Sequence, residues 1–449
     1  MASLEAPVSK ARYFAARSFT TRYVIASLCL VLFAAGCGGE TTDDADGAGI
    51  EAGTEAETVD DELAYSAEGN DIDESDGDLY GDLDGENGQQ APETTVEANT
   101  STTLTTAPSS PPTTAGSGLA PVTTVAVSSG GDPDGIYRGV LGALDPDELV
   151  VAGALVPPSA QPGVMPLTGV VGSVPNHPAA AVKIDNGSKA VPQTGLNSAD
   201  IVIEEEVEGG VTRFAAIFHS TPTIVGPVRS GRTTDLSLIS GLGTPLLIYS
   251  GANQITEGIL RSQPAIQNRS HGSSSGYWRD SSRSAPSNLY TDTAPHWASA
   301  SGGPPPPQFV YRQAGDPVPG ASDDELTVAY GSSTARWKWD GQQWLRWQRG
   351  AEHLAANGEQ LSAANVVVIE AEEVDTGMVD ASGGAVPEFL FVGTGRATVF
   401  TEGKRIEGTW TRPTLNSVAT LTHSPGNAIE LTPGRTWIQL IEAGSGALG

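Results

Sequence analysis

Cysteine is nearly missing from this 449-residue chain, with Cys29 and Cys37 its two copies, both close to the start. Everything C-terminal to Cys37 must therefore hold together without disulfides, and it can offer neither thiolate ligands for zinc nor a thiol nucleophile. Positive charge is missing too. No Lys or Arg occurs between Arg22 and Arg138, while the stretch from Glu40 to Asp134 carries 23 of the 54 acidic residues, so the formal net charge of −30 belongs mostly to that stretch. Its first part, such as Asp71-Ile72-Asp73-Glu74-Ser75-Asp76-Gly77-Asp78, is acidic and almost free of aromatics, and its second, around Thr100 to Thr124, is Thr, Ser and Pro. Neither can bury enough apolar surface to offset the entropy of ordering. Composition thus predicts a linker over 37–162, with Gly38 to about Gly131 a disordered stalk extended by self-repulsion and proline. A flexible chain of about 95 residues would average roughly 50–60 Å end to end.

Metal ligands are scarce in the same way. A calcium loop of the EF-hand type needs Asp or Asn at three alternate positions before a glycine, and no register of the acidic stretch supplies them. The six histidines show no H-E-x-x-H or comparable spacing. No metal and no cofactor is expected.

Long hydrophobic runs are limited to one, from Val24 to Ala35, preceded by Lys10, Arg12, Arg17 and Arg22. That layout is a secretory signal. A dozen residues at about 1.5 Å each fall well short of roughly 30 Å of hydrocarbon, which argues against a permanent span. The run ends in Phe33-Ala34-Ala35-Gly36-Cys37, which resembles the lipobox of bacterial lipoproteins, with Ala34 where that pattern usually has Leu. The expectation is a signal peptide over 1–36 and a lipid on Cys37, which would hold the protein to the outer face of the cytoplasmic membrane.

The remainder is long enough for two cores, and its mildly acidic charge argues against a nucleic-acid partner. In 163–312, Ala180–Ile184, Ile201–Val207, Thr212–His219 and Leu246–Ser250 read as strands, with Gly209-Gly210 as a hairpin turn and helices over Thr233–Leu242 and Gln254–Arg261. In 325–443 the period is two. Leu326–Tyr330, Ala335–Trp339, Trp344–Gln348, Val366–Ile369, Phe389–Val392, Ala397–Thr401, Ile406–Trp410 and Trp437–Ile441 read as short strands. The fold class is therefore α+β: a mixed α/β domain over 163–312, then a mostly β domain over 325–443.

Two formal motifs fail on context. Gly272-Ser273-Ser274-Ser275-Gly276 fits a nucleophile elbow, which needs a strand before it and a helix after it; the reading here is a Ser-rich loop with neither. Gly444-Ser445-Gly446-Ala447-Leu448-Gly449 fits a dinucleotide fingerprint, yet no helix follows within the sequence. The candidate site is built instead from charged residues beside strand ends and glycine turns: Asp185, Asn186, Glu206, Glu208, Arg213, Arg229 and Arg232. Arg229 and Arg232 precede the helix at Thr233, whose N-terminus favours anions, and with Arg213 they could grip a carboxylate or phosphate. The competing reading pairs these arginines internally with Asp185, Glu205, Glu206, Glu208 or Asp235. A hydrolase would need two carboxylates across a cleft, which Asp185 with Glu206 or Glu208 could supply.

Several stretches together carry a resemblance. Ile184-Asp185-Asn186, Pro192-Gln193-Thr194-Gly195-Leu196, Ala199-Asp200-Ile201-Val202, Glu208-Gly209-Gly210-Val211-Thr212-Arg213-Phe214 and Gly226-Pro227-Val228-Arg229-Ser230-Gly231-Arg232 resemble the YerB family of bacterial envelope lipoproteins. In the second half the resemblance rests on Asn365-Val366-Val367-Val368, Glu407-Gly408-Thr409-Trp410 and Pro433-Gly434-Arg435-Thr436-Trp437-Ile438-Gln439. It implies a two-domain extracytoplasmic lipoprotein without an assigned activity, so it supplies no catalytic residue. The family resembles Ala-Pro-His-Asn where this chain has Ala285-Pro286-Ser287-Asn288, and any role of that histidine is absent here.

Finally, Trp337, Trp339, Trp344 and Trp347 interleave with Arg336, Lys338, Arg346 and Arg349 across a hairpin turned at Asp340-Gly341. Period two predicts alternate tryptophans in a β core and cations facing water; the other reading is a stacking surface for wall sugars. The function expected from sequence is a non-enzymatic binding or scaffolding role at the cell wall, the partner being a wall polymer or a wall-synthesis protein. The alternative is the hydrolase.

Overall fold

The computed structural model describes residues 137–449, apart from Gly153, Ala314, Ala381, Ser382 and Pro425. The signal segment 1–36, Cys37 and the acidic part of the linker lie outside the described residues. The first half contains β1 (Ala180–Asp185), β2 (Ile201–Glu206), β3 (Thr212–Phe218), β4 (Ile224–Val225), α1 (Thr234–Ile239), β5 (Leu246–Tyr249), α2 (Gln254–Ser262), β6 (Gln267–Ser270), β7 (Tyr277–Arg279), β8 (Leu289–Asp292) and α3 (Thr293–Ala298). The second half opens with the short β9 (Val310–Tyr311) and β10 (Ala321–Ser322), then β11 (Glu325–Ala329), β12 (Thr334–Trp339), β13 (Trp344–Gln348), β14 (Ala351–Glu352) and β15 (Ser362–Ala363). It continues with β16 (Asn365–Val379), β17 (Ala385–Leu390), β18 (Gly393–Thr401), β19 (Lys404–Arg412), β20 (Thr420–Ser424), β21 (Asn427–Ala428), β22 (Glu430–Leu431) and β23 (Thr436–Glu442). A mixed α/β half followed by a mostly β half is the fold class the sequence predicts.

β1 and β3 are buried along their whole length and read as near-continuous apolar runs, as strands covered on both faces do. β3 pairs antiparallel with both β1 and β2, the latter through the turn at Gly209 and Gly210 (φ 69° and 70°), a backbone conformation that favours glycine. β1 continues through β5 to β6 in parallel. On the far side β2 meets β23, which runs parallel to it and, on its other edge, parallel to β16. Ile438 thus sits in register with Ile203 on one side and Val367 on the other. The backbone groups of β23 are satisfied only when both halves are present. One 13-stranded sheet results, with β23 as its seam.

Both cores cross the seam. On one face Ile203, Ile217, Leu236 and Ile239 pack with Val367, Phe391, Val399 and Leu440. On the other, Val182, Ile184 and Phe214 pack with Trp337, Trp344, Phe400 and Trp437 beneath the sheet of β11, β12 and β13. The boundaries at 163–312 and 325–443 therefore divide the sequence without dividing the hydrophobic core.

Two expectations change. The run from Tyr137 to Leu144, which composition assigns to the linker, is packed: Leu141 and Leu144 are buried in the first core, while Leu149 and Val156 farther along remain exposed. Glu388, itself buried, accepts from the Tyr137 hydroxyl at 2.5 Å and from the Val140 and Leu141 amides at 2.6 and 3.0 Å. Burying one such leucine is worth about 1.5–3 kcal/mol, and the acidic composition upstream masks this short apolar run. The second change concerns the tryptophan hairpin. Trp337 and Trp344 do fill the core, and Arg336 and Lys338 remain about half exposed, but Arg346 is fully buried. Arg346 shares its face of β13 with Trp344 and Gln348, and it is opposite Trp337 in register, so it cannot reach water.

Candidate functional site

The period-two alternation of β1, β2 and β3 sends the charged residues near their ends to opposite faces. On the α1 face lie Lys183 and Asp185 from β1, Glu205 from β2 and Arg213 from β3, facing Asp235 of α1. Lys183 donates to Glu205 and contacts Asp235 at 2.7 Å, and all three side chains are wholly buried. Arg213 donates to the Ser230 carbonyl at 2.8 Å. Arg232 grips Glu208 through both Nε and Nη2 (2.8 Å for the latter), while its backbone amide donates to Asp235 at 2.8 Å. Arg229 lies 3.8 Å from Asp185. Asp185 also accepts from the Gly187 amide at 2.8 Å and from the Ser287 hydroxyl at 2.7 Å.

This cluster holds four acids, Asp185, Glu205, Glu208 and Asp235, and four cations, Lys183, Arg213, Arg229 and Arg232, so its formal charge is zero. Burial disfavours a charged Lys183, yet Asp235 and Glu205 more than compensate and hold its ammonium above the usual lysine range. Burial raises Glu205, a wholly buried carboxyl, and the neighbouring Asp235 raises it further. Burial opposes ionisation of Glu208 as well, but the Arg232 guanidinium, helped by Arg213, holds it below the ordinary carboxylate range. Removing any one partner would strand a buried charge.

Of the seven candidates, the structure brings five into this cluster: Asp185, Glu208, Arg213, Arg229 and Arg232. Asn186 and Glu206 go elsewhere. Asn186, fully buried on the opposite face, donates to Thr212 at 2.7 Å and accepts from Gln193 and Gln348 at 3.1 and 2.9 Å. Glu206 accepts from the Gly331 amide at 2.8 Å and so tethers the turn between β11 and β12. Lys183 was not among the candidates, although a lysine inside an apolar strand must find a carboxylate, and that was its sequence signal.

Around Asn186 the second face carries its own network, which the sequence motifs did not reveal. Arg346 pairs with Glu204 at 2.9 Å, its guanidinium carbon lying 4.9–5.5 Å from the ring centroids of Phe214, Trp337 and Trp437. Its Nε donates to His353 Nδ1 at 3.0 Å, which leaves the ring proton on Nε2 to donate to Gln193 Oε1 at 2.8 Å. Burial, then Arg346 and Arg349, push His353 down to about 2, so the ring is neutral.

A cavity of about 40 Å³ lies on the α1 side of the seam, bounded by Ile203, Leu238, Val367, Phe391 and Ile438, with Gln308 as its polar side chain. One amide among apolar walls orients no reaction. The Gly272–Gly276 loop does follow a strand, β6, contrary to the reading of the loop from sequence, but it runs into β7 and not into a helix. No elbow forms there. Among the described residues no group of three or more His, Cys, Asp or Glu is placed to hold a metal, and no helix is long and apolar enough to cross a membrane.

The comparisons with known proteins agree with this architecture. Residues 167–303 match the N-terminal domain of the proteins of unknown function DUF3048, and residues 326–438 match the C-terminal domain of the same family. YerB of Bacillus subtilis (strain 168), described as a candidate lipoprotein, is 28% identical over 302 residues, covering 64% of this chain and 88% of that one. The crystal structure of the Bacillus subtilis YerB protein superposes with a TM-score of 0.54 at 24% identity, over 64% of this chain and 98% of that one, a likeness of fold. With both family domains present in order and the two-half architecture shared, the chain belongs to the YerB family.

Proposed function

We propose that this protein is a lipid-anchored, extracytoplasmic member of its family that binds a cell-wall component and carries out no catalysis. The anchor is the lipobox-like Cys37, and the description of the Bacillus subtilis relative as a candidate lipoprotein supports it. The observation that carries the non-catalytic reading is the engagement of each carboxylate a hydrolase would need. Asp185 is held by Gly187, Ser287 and Arg229, Glu206 by Gly331, and Glu208 by both arms of Arg232. Moreover Ser287 touches Asp185 at the position where the family resemblance has histidine, so the neighbour of that carboxylate here is a hydroxyl that does not titrate near neutral pH.

Two measurements test this. The full chain, incubated with isolated cell-wall sacculi that keep their anionic polymer, should be retained by them without releasing soluble fragments. Release of fragments that Asp185→Asn abolishes would restore the hydrolase. For the anchor, Cys37→Ser should move the protein from the membrane to the aqueous fraction; a variant that stays membrane-bound would refute lipidation at Cys37.

A further inference from the structure

Outside the charge cluster, one surface differs from the rest of this acidic molecule. Between Gly258 and Thr291 there are four arginines, Arg261, Arg269, Arg279 and Arg283, and one acid, Asp280. Of these, Arg279 lies on β7 of the small antiparallel sheet of β4, β8 and β7, and Arg283 lies in the loop that joins β7 to β8, whereas Arg261 lies on α2, paired with Glu257, and Arg269 on β6 of the large sheet. On the small sheet Trp278 is 41% exposed, although a tryptophan that merely packed a core would be covered. Its ring lies nearly parallel to Tyr290 across the strand pair, with centroids 6.3 Å apart and 23° between planes. Tyr290 in turn accepts from Arg283 at 2.9 Å, and Arg279, next to Trp278, is steadied by Asn288 at 2.7 Å. The aromatic face is thus held in place, with cations on fixed supports beside it. The nearest acid, Asp280, is occupied by the Ser282 amide and hydroxyl at 2.9 and 2.7 Å. The loops entering and leaving β7 add exposed hydroxyls at Ser275, Ser281 and Ser284.

We infer that this face, centred on Trp278 with Arg279 and Arg283, docks an anionic glycan, a polymer of sugars carrying phosphate or carboxylate groups. The inference rests on the wall-binding reading above and names the surface and the ligand class. Each part of the face meets one part of such a polymer: the indole stacks on the apolar face of a sugar ring, the guanidiniums pair with its anions, and the serines meet its hydroxyls. A lipid headgroup surface would also satisfy the arginines. It would not use the serines, and beyond Trp278 this sheet offers Ile224 as its other exposed large apolar side chain.

The test is co-sedimentation of the detergent-solubilised full chain with sacculi that keep their anionic polymer, with the same sacculi after hydrofluoric acid stripping, and with phosphatidylglycerol vesicles. Retention by intact sacculi that falls roughly tenfold for Trp278→Ala, falls for Arg279→Gln, weakens with salt and is lost on stripping supports the inference. Both side chains are on the surface, so unchanged melting temperatures will show that the variants are folded. If the unaltered chain binds intact sacculi and both variants bind equally well, this surface is refuted while wall binding stands. If the unaltered chain binds neither kind of sacculus, the wall-binding reading itself falls. Equal binding to stripped sacculi, or Trp278-dependent binding to vesicles in place of sacculi, overturns the anionic glycan as the ligand.

Discussion

The neutral His353 makes the fold acid-sensitive in a way that can be calculated. In the unfolded chain its imidazole titrates near 6.5, and in the fold it is pushed down to about 2. Below pH 6.5 the unfolded state binds a proton that the folded state refuses, so the stability this histidine contributes is complete above 6.5 and is lost progressively as the pH falls toward 2. At pH 5 the gap is about 1.5 units, and at about 1.36 kcal/mol per unit the loss is about 2 kcal/mol relative to neutral pH. With a urea dependence of about 3 kcal/mol per molar, that is a midpoint shift of roughly 0.7 M. Other groups titrate over the same range, so the useful quantity is a difference of differences. His353→Gln keeps an acceptor for Arg346 and a donor for Gln193 without a titrating ring, and it should flatten the drop between pH 7 and pH 5 by about 2 kcal/mol. Equilibrium urea unfolding of both proteins at the two pH values measures it. An acid-side drop that is the same in both, within about 0.5 kcal/mol, would refute a buried neutral imidazole at this position.

Further outcomes follow from the same contacts. Lys183→Met leaves Glu205 and Asp235 buried together without their shared cation, and chemical denaturation should show a loss of about 3–5 kcal/mol, partly recovered in Lys183→Met/Glu205→Leu. Glu388→Ala removes the acceptor that holds Tyr137, Val140 and Leu141, so hydrogen exchange should accelerate at those two amides and trypsin should gain a cut at Arg138, while the sheet amides stay protected. Residues 163–312 and 325–443 expressed separately should each lack cooperative unfolding in circular dichroism and recover it when co-expressed, because each exposes one edge of the seam at β23.

Much of the local structure was readable because hydrophobic period and turn chemistry are short-range properties. The near-continuous apolar runs of β1 and β3, the Gly209-Gly210 turn and the alternation of β12 and β13 all reappear where the sequence places them. The candidate site was readable only in part. Alternation tells which residues of a strand share a face, but not what covers that face, so Asp185 and Asn186 were grouped although a strand's geometry must separate neighbours. Arg346 shows the same limit: next to tryptophans on a hairpin it reads as a surface cation, and only Glu204, supplied from the other half of the chain, makes its burial possible.

By itself, the sequence determined the absence of cysteine from the folded part, the concentration of acid upstream of it and the principal strands of each half. The tertiary structure alone decided that β23 inserts between β2 and β16. Strand neighbours are chosen by long-range register and by what both faces can bury, and no window of sequence contains both partners.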